Sequence, residues 1–394
     1  MLNEPDEQAG ELSRTFGCVR YVYNFGLALR RDAYEERGAS LRYKDTSAAL
    51  TELKRQEETA WLSEVSCVPL QQTLRHLDKA YTNYFQKRAD YPTFKRRHGP
   101  QSAEYTRSGF TYGMAEDGTP VLSLAKMPGP LSVRWSRTPP AVPSTVTVSK
   151  DPAGRYFVSL LCEVEAAPLP PVSRSVGVDL GLSDLVVTSD GFKSGNPKYL
   201  EREERKLRRA QQALARKVKG SNNRRKARLR VARIHARIAD QRRDFLHKLS
   251  TTLIRENQAI YLEDLNVRGM MQNHTLARAI GSASWSEFVR QIEYKAVLYG
   301  RTVVRVGRFE PTSKRCSVCN HQVKELPLSV RAWTCEACGS RHDRDVNAAR
   351  NILRAGLALT ACGENVSPAV STAGNLREAG TIALLGGDKP NSRV

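Results

Sequence analysis

The 394-residue sequence lacks several features that mark whole classes of protein. It contains no apolar run near the roughly 18 residues that a membrane-spanning helix needs, which excludes such a helix. Its first residues, MLNEPDEQAGELSR, are polar and acidic, so we expect neither a signal peptide nor a transit peptide. Together these absences predict a cytoplasmic protein with no membrane partner.

Acidic residues are scarce relative to basic ones. There are 41 Asp and Glu against 62 Lys and Arg, which gives a formal charge of +21. So large an excess favours a polyanionic partner, and nucleic acid is the first candidate. The alternative is a basic protein whose charge serves only solubility. The length predicts two to four domains.

Cysteines are few and unevenly placed. Four of the eight are scattered, and the other four form two pairs, Cys316-x2-Cys319 and Cys335-x2-Cys338, with fifteen residues between the pairs. Two thiolates two residues apart can bind one ion, and four complete a closed tetrahedral zinc site. We therefore predict a structural Zn²⁺ at Cys316, Cys319, Cys335 and Cys338. The alternatives are two disulfides or four unrelated thiols.

Hydrophobic periodicity divides the chain. Helical spacing runs from about residue 11 to 92, with Thr46 or Ser47 expected as the N-cap of a second helix. From 103 to 166, short alternating segments are separated by DG, PG, PP and DPAG turns, which predicts four or five strands in a small barrel or sandwich. A Pro-rich linker over 166–175 is expected to separate this region from a second fold.

The hydrophobic spacing in residues 200–250 predicts a helical hairpin, and its surface is strongly basic. It carries 18 Lys or Arg against 5 Asp or Glu, whereas a solvated coiled-coil face usually balances its signs. We expect phosphate contacts there, including Arg224, Arg225 and Lys226 in the turn KGSNNRRK. The alternative is a solvated surface.

Acidic residues stand on three separated apolar elements. Asp179 lies in one strand pattern, Glu263 and Asp264 end another, and Asp343 and Asp345 open a helix. Clustered carboxylates raise one another's pKa unless cations neutralise them, and a Mg²⁺ pair would also perform phosphodiester hydrolysis. Periodicity leaves open Glu263 against Asp264 and Asp343 against Asp345, and solvated or capping acids remain the alternative.

Four segments in order, VGVDLGLSDL, IYLEDLN, the paired CxxC ribbon and HDRDVNAARNI, resemble the TnpB (OrfB) proteins of bacterial insertion sequences. The resemblance covers residues from about 16 to 356. It implies an RNA-guided DNA endonuclease related to the compact type V CRISPR effectors. By motif, the catalytic, magnesium-binding carboxylates would be Asp179, Glu263 and Asp345. A guide RNA and double-stranded target DNA would be the partners, and we expect a monomer with one RNA.

The resemblance also implies a multidomain α+β fold. A wedge β-barrel (1–10 and 101–170) would contain an inserted helical recognition bundle (11–100). A RuvC-like, RNase H-fold nuclease (171–313 and 342–359) would be interrupted by the zinc ribbon (314–341). A flexible tail (360–394) would follow. Relatives usually begin with a basic strand, which MLNEPDEQAG does not resemble, so either the barrel lacks an edge or the start codon is misassigned.

A short motif beside the target would be recognised by polar residues on otherwise apolar segments. The matching positions here are Tyr43, Ser47, Gln71 and Thr111. Because Gln pairs with adenine and a Thr methyl can contact the thymine methyl, an A/T-rich motif is expected. Two rival functions remain: a strand-joining transposase, although no HxH-plus-Tyr arrangement is present, and a non-catalytic zinc-ribbon regulator that binds nucleic acid.

Overall fold

The computed structural model describes residues 5–165, 167–307, 311–327 and 329–361, and the backbone of 381–383. The chain forms two compact units, one of residues 1–164 with 377–394 and one of residues 165–376. Within the described ranges, no helix combines the length and apolar character that crossing a membrane requires.

The first unit opens with helices: α1 (Pro5–Arg37), α2 (Tyr43–Leu53), a 3-10 helix (Glu57–Ser63) and α3 (Cys67–Phe85). The expectation that residues 1–10 belong to the β-rich part is wrong for residues 5–10, which form the first turns of α1. The predicted N-cap at Thr46 or Ser47 is also wrong. The α2 helix starts four residues earlier because the Arg42 backbone N–H donates to Asp45 Oδ2 at 2.8 Å.

The helical spacing predicts one apolar stripe along α3. It is confirmed as a buried face for Leu70, Leu74, Leu77 and Tyr81, but it is wrong for Phe85, which is 69% exposed at the end of the helix. Its leucines pack against α1 so closely that a Cβ added at Gly26 would lie 2.7 Å from Leu74 Cδ2. One continuous core joins these helices to the strands that follow, through residues such as Leu70, Tyr105 and Val146. Helices and strands therefore fold as one unit.

The predicted alternating segments form five strands: β1 (Gln101–Thr106), β2 (Phe110–Met114), β3 (Pro120–Leu124), β4 (Thr145–Lys150) and β5 (Tyr156–Leu161). They lie in an antiparallel sheet of order β1-β4-β5 and in a separate β2-β3 hairpin. A closed barrel thus remains a prediction.

A strand from the predicted flexible tail completes the larger sheet. Thr381–Ala383 pairs antiparallel with β5, so the prediction of a flexible tail is wrong for these residues. The physical reason is that the outer edge of β5 offers unpaired backbone groups to a short segment of good β-propensity. The other tail residues beyond Ala361 lie outside the described part of the chain.

The second unit contains a four-stranded mixed sheet made of β6 (Ser175–Asp179), β7 (Val187–Thr188), β8 (Ala259–Glu263) and β9 (Thr302–Val306). Its order is β7-β6-β8-β9, with β6, β8 and β9 mutually parallel and β7 antiparallel to β6. Helices connect or follow these strands: α4 (Tyr199–Ala215), α5 (Asn222–Glu256), α6 (Val267–Met270), α7 (Ala277–Ala283), α8 (Trp285–Tyr299) and α9 (Arg344–Ala361).

The two faces of this sheet pack against different helices. Val176, Val178, Ile260 and Leu262 join the core made with α5 and α8. Ala259 and Tyr261 join the core made with α9. Helix α9 lies so close to the sheet that a Cβ at Gly177 would be 2.1 Å from Ala349 O, and one at Gly356 would be 2.0 Å from the Tyr261 ring.

The ribbon lies between β9 and α9 and contains β10 (Ala332–Thr334) and β11 (Arg341–Asp343), which pair antiparallel. Each CxxC pair makes a similar tight turn. Cys316 O accepts from Asn320 N, and Cys335 O accepts from Gly339 N. Asn320 and Gly339, each four residues after the first cysteine of its pair, both adopt a positive φ, 67° and 69°.

Candidate metal centres and nucleic-acid surfaces

The carboxylates of Asp179 and Glu263 end two neighbouring parallel strands. Val178 is in register with Leu262, so the next residues along, Asp179 and Glu263, are side by side. Residues two apart in a strand share a face. Asp179 therefore shares the face of Gly177, and Glu263 that of Tyr261, which is the face that α9 covers. Asp345, in the first turn of α9, lies over the same side.

The charges of Glu263 and Asp345 act on Asp179, whereas the charge that acts on Glu263 is that of Asp264. Burial, together with the charges of Glu263 and Asp345, raises the pKa of Asp179 to about 7. Arg344 and Arg331 act in the opposite direction. Burial, followed by the charge of Asp264, raises the pKa of Glu263. Such crowded carboxylates favour a cation between them.

The two alternative acids have other partners. Asp264 Oδ1 lies 3.5 Å from Arg305 Nη1. Asp343 accepts a hydrogen bond from Lys193 Nζ at 2.7 Å and caps α9 by accepting from the amides of Asp345 and Val346. Burial alone would raise the pKa of Asp343, but the Lys193 bond and these amides outweigh it and lower the pKa. Of the two acids in each pair, Glu263 lies on the face of β8 that α9 covers, and Asp345 is the one whose charge raises the pKa of Asp179.

The donor set of Asp179, Glu263 and Asp345 consists of carboxylate oxygens, which a hard divalent cation such as Mg²⁺ prefers. Each of the three residues is half-buried. Arg331 lies beside it, with Nη1 3.5 Å from Asp345 Oδ1 and Nη2 3.4 Å from Ser183 Oγ. Among the described residues, only the four cysteines described next bring three or more ligand atoms together closely enough to hold one metal ion.

The four predicted cysteines come together as the sequence spacing implies. Their sulfur atoms all lie within 4.8 Å of one another. Cys316 Sγ is 3.7 Å from Cys338 Sγ, and Cys319 Sγ is 3.6 Å from Cys335 Sγ. Tetrahedral Zn²⁺ with bonds of about 2.3 Å places its sulfurs about 3.8 Å apart, so the geometry fits zinc. Four protein ligands leave no position for substrate.

Two asparagines join the ribbon to α9. Asn347 Nδ2 donates to Arg315 O at 2.8 Å, and its Oδ1 accepts from Ser317 N at 2.9 Å. One turn later, Asn351 Nδ2 donates to Thr312 O at 2.7 Å. Both side chains are buried. Neither residue is predicted from the sequence. The signal for them is a pair of asparagines four apart on the apolar face of a helix, where Asn is unfavourable without tertiary partners.

The predicted basic hairpin is present as α4 and α5, but its three turn residues differ in their surroundings. Arg224 Nη1 donates to Leu214 O at 3.1 Å and to Lys217 O at 2.8 Å, so its guanidinium caps the end of α4. Arg225 and Lys226 are exposed on the first turn of α5. The outward-facing pair is therefore better placed for phosphate than Arg224.

The four residues predicted to recognise a flanking motif lie in the first unit around the start of α3. Gln71 is exposed on α3, one turn before Arg75, whose guanidinium lies 4.2 Å from the centroid of the Tyr43 ring. Ser47 is one turn after Tyr43 on α2. Thr111 is exposed on β2, directly after Phe110 and near Gly109, which packs on Val68 of α3. The side chains are thus on adjacent elements.

Fold and sites together define a two-unit, basic protein with a structural cysteine site and a carboxylate site on an α/β sheet. The chain belongs to the TnpB (OrfB) family: residues 159–274 match the OrfB_IS605 model, described as "Probable transposase". Residues 285–352 match the "Cas12f1-like, TNB domain", and residues 5–39 match a "Helix-turn-helix domain" of the same family.

Two curated relatives span nearly the whole chain. A "Putative RNA-guided DNA endonuclease" of Streptomyces pristinaespiralis is 54% identical over 366 residues, which is 92% of this chain and 90% of that protein. A "Putative RNA-guided DNA endonuclease InsQ" of Escherichia coli K12 is 35% identical over 381 residues, 93% of each chain.

Among solved structures, the fold is similar to the protein in "Cryo-EM structure of the Cas12f1-sgRNA-target DNA complex". The TM-score is 0.53 at 14% identity, over 87% of this chain and 82% of that chain. This likeness concerns the fold alone.

Proposed function

We propose that the protein is an RNA-guided DNA endonuclease that cuts double-stranded DNA with divalent cations. The observation that carries the proposal is the placement of Asp179, Glu263 and Asp345 on one side of the mixed sheet, in a chain 54% identical to a curated relative of that name. In this proposal the second unit is a RuvC-like, RNase H-fold nuclease interrupted by a zinc ribbon.

Each residue of the site has a separate task. Asp179 and Glu263 would hold cations from the ends of β6 and β8, and Asp345 would complete the site from α9. Bound Mg²⁺ would supply an activated water and would stabilise the leaving 3′ oxygen. Arg331 brings positive charge beside Asp345, where the phosphate of a bound strand would lie. Both strands would be cut in this one site, one after the other.

Recognition is divided between RNA and protein. Base pairing of the guide RNA would select the target, and the protein would recognise only a short flanking duplex motif. We assign motif recognition to Tyr43, Ser47, Gln71 and Thr111, because they lie on adjacent elements and Gln71 and Thr111 are exposed. Arg225 and Lys226 would contact phosphates of the RNA or of the heteroduplex.

The test is to purify the protein from cells, sequence the RNA that copurifies, and supply plasmid DNA that matches the RNA. We expect double-strand cleavage with Mg²⁺, none without divalent cation, and none by Asp179→Ala, which should still bind RNA and DNA. Joined strands would indicate a transposase, and binding without any cleavage would indicate a regulator. Either result would overturn the proposal.

The same assay with a randomised flanking sequence tests motif recognition. Gln71→Ala should relax the motif at one base pair, costing about 1–3 kcal/mol there, without changing which RNA is bound. A profile that matches the wild type at every flanking position would remove Gln71 from the recognition set. His76 lies further along α3 than Gln71 and contacts Glu104. The variant His76→Ala therefore offers a control position.

A further inference from the structure

Four aromatic side chains are exposed together in the first unit, at the end of α3 and in the segment after it. Tyr84 and Phe85 end the helix, and Tyr91 and Phe94 follow in the next ten residues. Three of the rings contact one another: the Tyr84 centroid lies 5.3 Å from that of Phe85 and 5.2 Å from that of Tyr91. The Phe94 ring instead has the Arg31 guanidinium 5.5 Å from its centroid. Phe85 is 69% exposed, although a residue of its size is usually buried.

This aromatic surface is held rigidly. Tyr91 is fixed by a 2.9 Å hydrogen bond between its hydroxyl and that of Tyr81. The backbone of Lys95 is fixed to α1 on both sides, because its N–H donates to Asn24 Oδ1 and its carbonyl accepts from Asn24 Nδ2. Rings that are already fixed lose little conformational entropy when a partner binds, so the surface is preorganised.

Its surroundings are strongly basic. Residues 86–98 contain five Lys or Arg against one acid, Asp90. Lys95 is directed inward over the Tyr23 ring, but the other four remain exposed: Lys87, Arg88, Arg96 and Arg97. Within the part of the chain that the structure describes, none of these four forms an ion pair. Fixed aromatic faces surrounded by free cations match single-stranded nucleic acid, whose bases stack while its phosphates are neutralised.

We propose that this aromatic surface stacks unpaired bases of the guide RNA. The inference rests on the proposed function. Guide RNA is favoured over a DNA strand because an exposed aromatic patch calls for a partner that stays bound, and in the proposed function the RNA is resident whereas DNA is transient. The unpaired state follows from geometry, because bases inside a duplex offer their edges and not their faces to a protein.

The experiment measures binding of the copurified guide RNA, a single-stranded DNA and a duplex DNA of equal length, over a range of salt. The variant Phe85→Leu with Phe94→Leu keeps apolar bulk and removes the aromatic faces. We expect RNA affinity to fall about 5- to 150-fold per lost stack, with an unchanged salt slope. Arg96→Gln with Arg97→Gln should instead reduce the slope by about 0.7 per lost contact.

The matched control is Tyr34→Leu, which should bind RNA as the wild type does. Tyr34 lies on α1, is 67% exposed and, among the described residues, makes no ring contact with the aromatic surface. Ultraviolet crosslinking should join the 84–97 peptide to RNA bases. Wild-type RNA affinity in the Phe85, Phe94 variant would overturn the inference, as would a loss confined to single-stranded DNA. If the wild type itself carries no RNA, the proposed function fails first.

Discussion

The cysteine ribbon takes its four thiols from one short stretch, Cys316 to Cys338, whereas the carboxylate site takes Asp179, Glu263 and Asp345 from three distant elements. The cysteines are brought together by two local turns of the same geometry. The carboxylates meet only because β6 and β8 pair in register and α9 lies over them. The first site is assembled within one short segment, and the second is assembled only by the completed fold.

The two sites are also physically connected. Asn347 and Asn351 bind the backbone of the first cysteine turn, and Arg344 of the same helix donates to Pro327 O at 2.7 Å. The ribbon therefore fixes the position of α9 and, with it, Asp345. The cysteine ribbon therefore supports the carboxylate site, and the following variants separate the contributions of the two sites.

Cys335→Ser should have the largest effect. A structural zinc site contributes on the order of 10 kcal/mol to the folding of its segment. We expect zinc content to fall from one equivalent per chain to near zero, the ribbon to unfold and cleavage to disappear. Elemental analysis and cleavage assays measure this. Cys67→Ser, at an exposed cysteine in the first unit, is the control and should retain zinc. Full zinc content in Cys335→Ser would contradict the assignment.

Glu263→Gln should abolish cleavage without altering zinc content. Removing one metal-binding carboxylate should cost several kcal/mol in the transition state, or about 1,000-fold in rate. Asp264→Asn is the matched control, since that residue faces Arg305, and it should reduce the rate less than about threefold. Single-turnover cleavage measures both. If Asp264→Asn is the inactive variant, the face assignment of β8 is wrong.

Asp179→Asn should stabilise the protein in buffer without divalent cations. The pKa of Asp179 is about 7 in the folded state. Between its ordinary pKa and pH 7, the folded protein therefore keeps a proton on Asp179 that the unfolded protein has lost. Stability therefore falls as pH rises towards 7, and the Asn variant avoids this loss. We expect the gain to be about 2 kcal/mol larger at pH 8 than at pH 5.

Thermal denaturation at both pH values measures this difference. Asp343→Asn should instead lower the stability of the protein at both pH values. The partners of Asp343 lower its pKa, so its charged form contributes stability at both. Equal effects of Asp179→Asn at pH 5 and pH 8 would show that burial and the neighbouring acids do not raise the pKa of Asp179.

Asn347→Ala should have the smallest effect and the most specific one. It removes two buried hydrogen bonds between α9 and the ribbon, worth about 1–3 kcal/mol. We expect cleavage to fall about tenfold, with a higher Mg²⁺ concentration for half-maximal rate and with zinc retained. Glu336→Ala, at an exposed ribbon position, is the control. An unchanged Mg²⁺ dependence would show that Asn347 does not position Asp345.

Several features were predictable because their causes are local. The CxxC spacing indicates the zinc ligands, and the turns that it encodes bring the thiols together without help from distant residues. Hydrophobic periodicity predicts the α3 stripe and the α4–α5 hairpin, because burial of one face follows from spacing alone. The resemblance of four short segments implies the family, and the relatives confirm it.

Other features depend on the tertiary structure. Alternation along β8 cannot say which of its faces α9 covers, since that depends on the close approach that Gly177 and Gly356 permit. Three other features likewise depend on neighbours that are distant in sequence: the capping of α4 by Arg224, the strand at Thr381–Ala383 and the exposure of Phe85. The sequence alone determined which residues have side chains that can bind metal or nucleic acid. Only the packing of elements decided which of them face one another, because periodicity specifies faces and not partners.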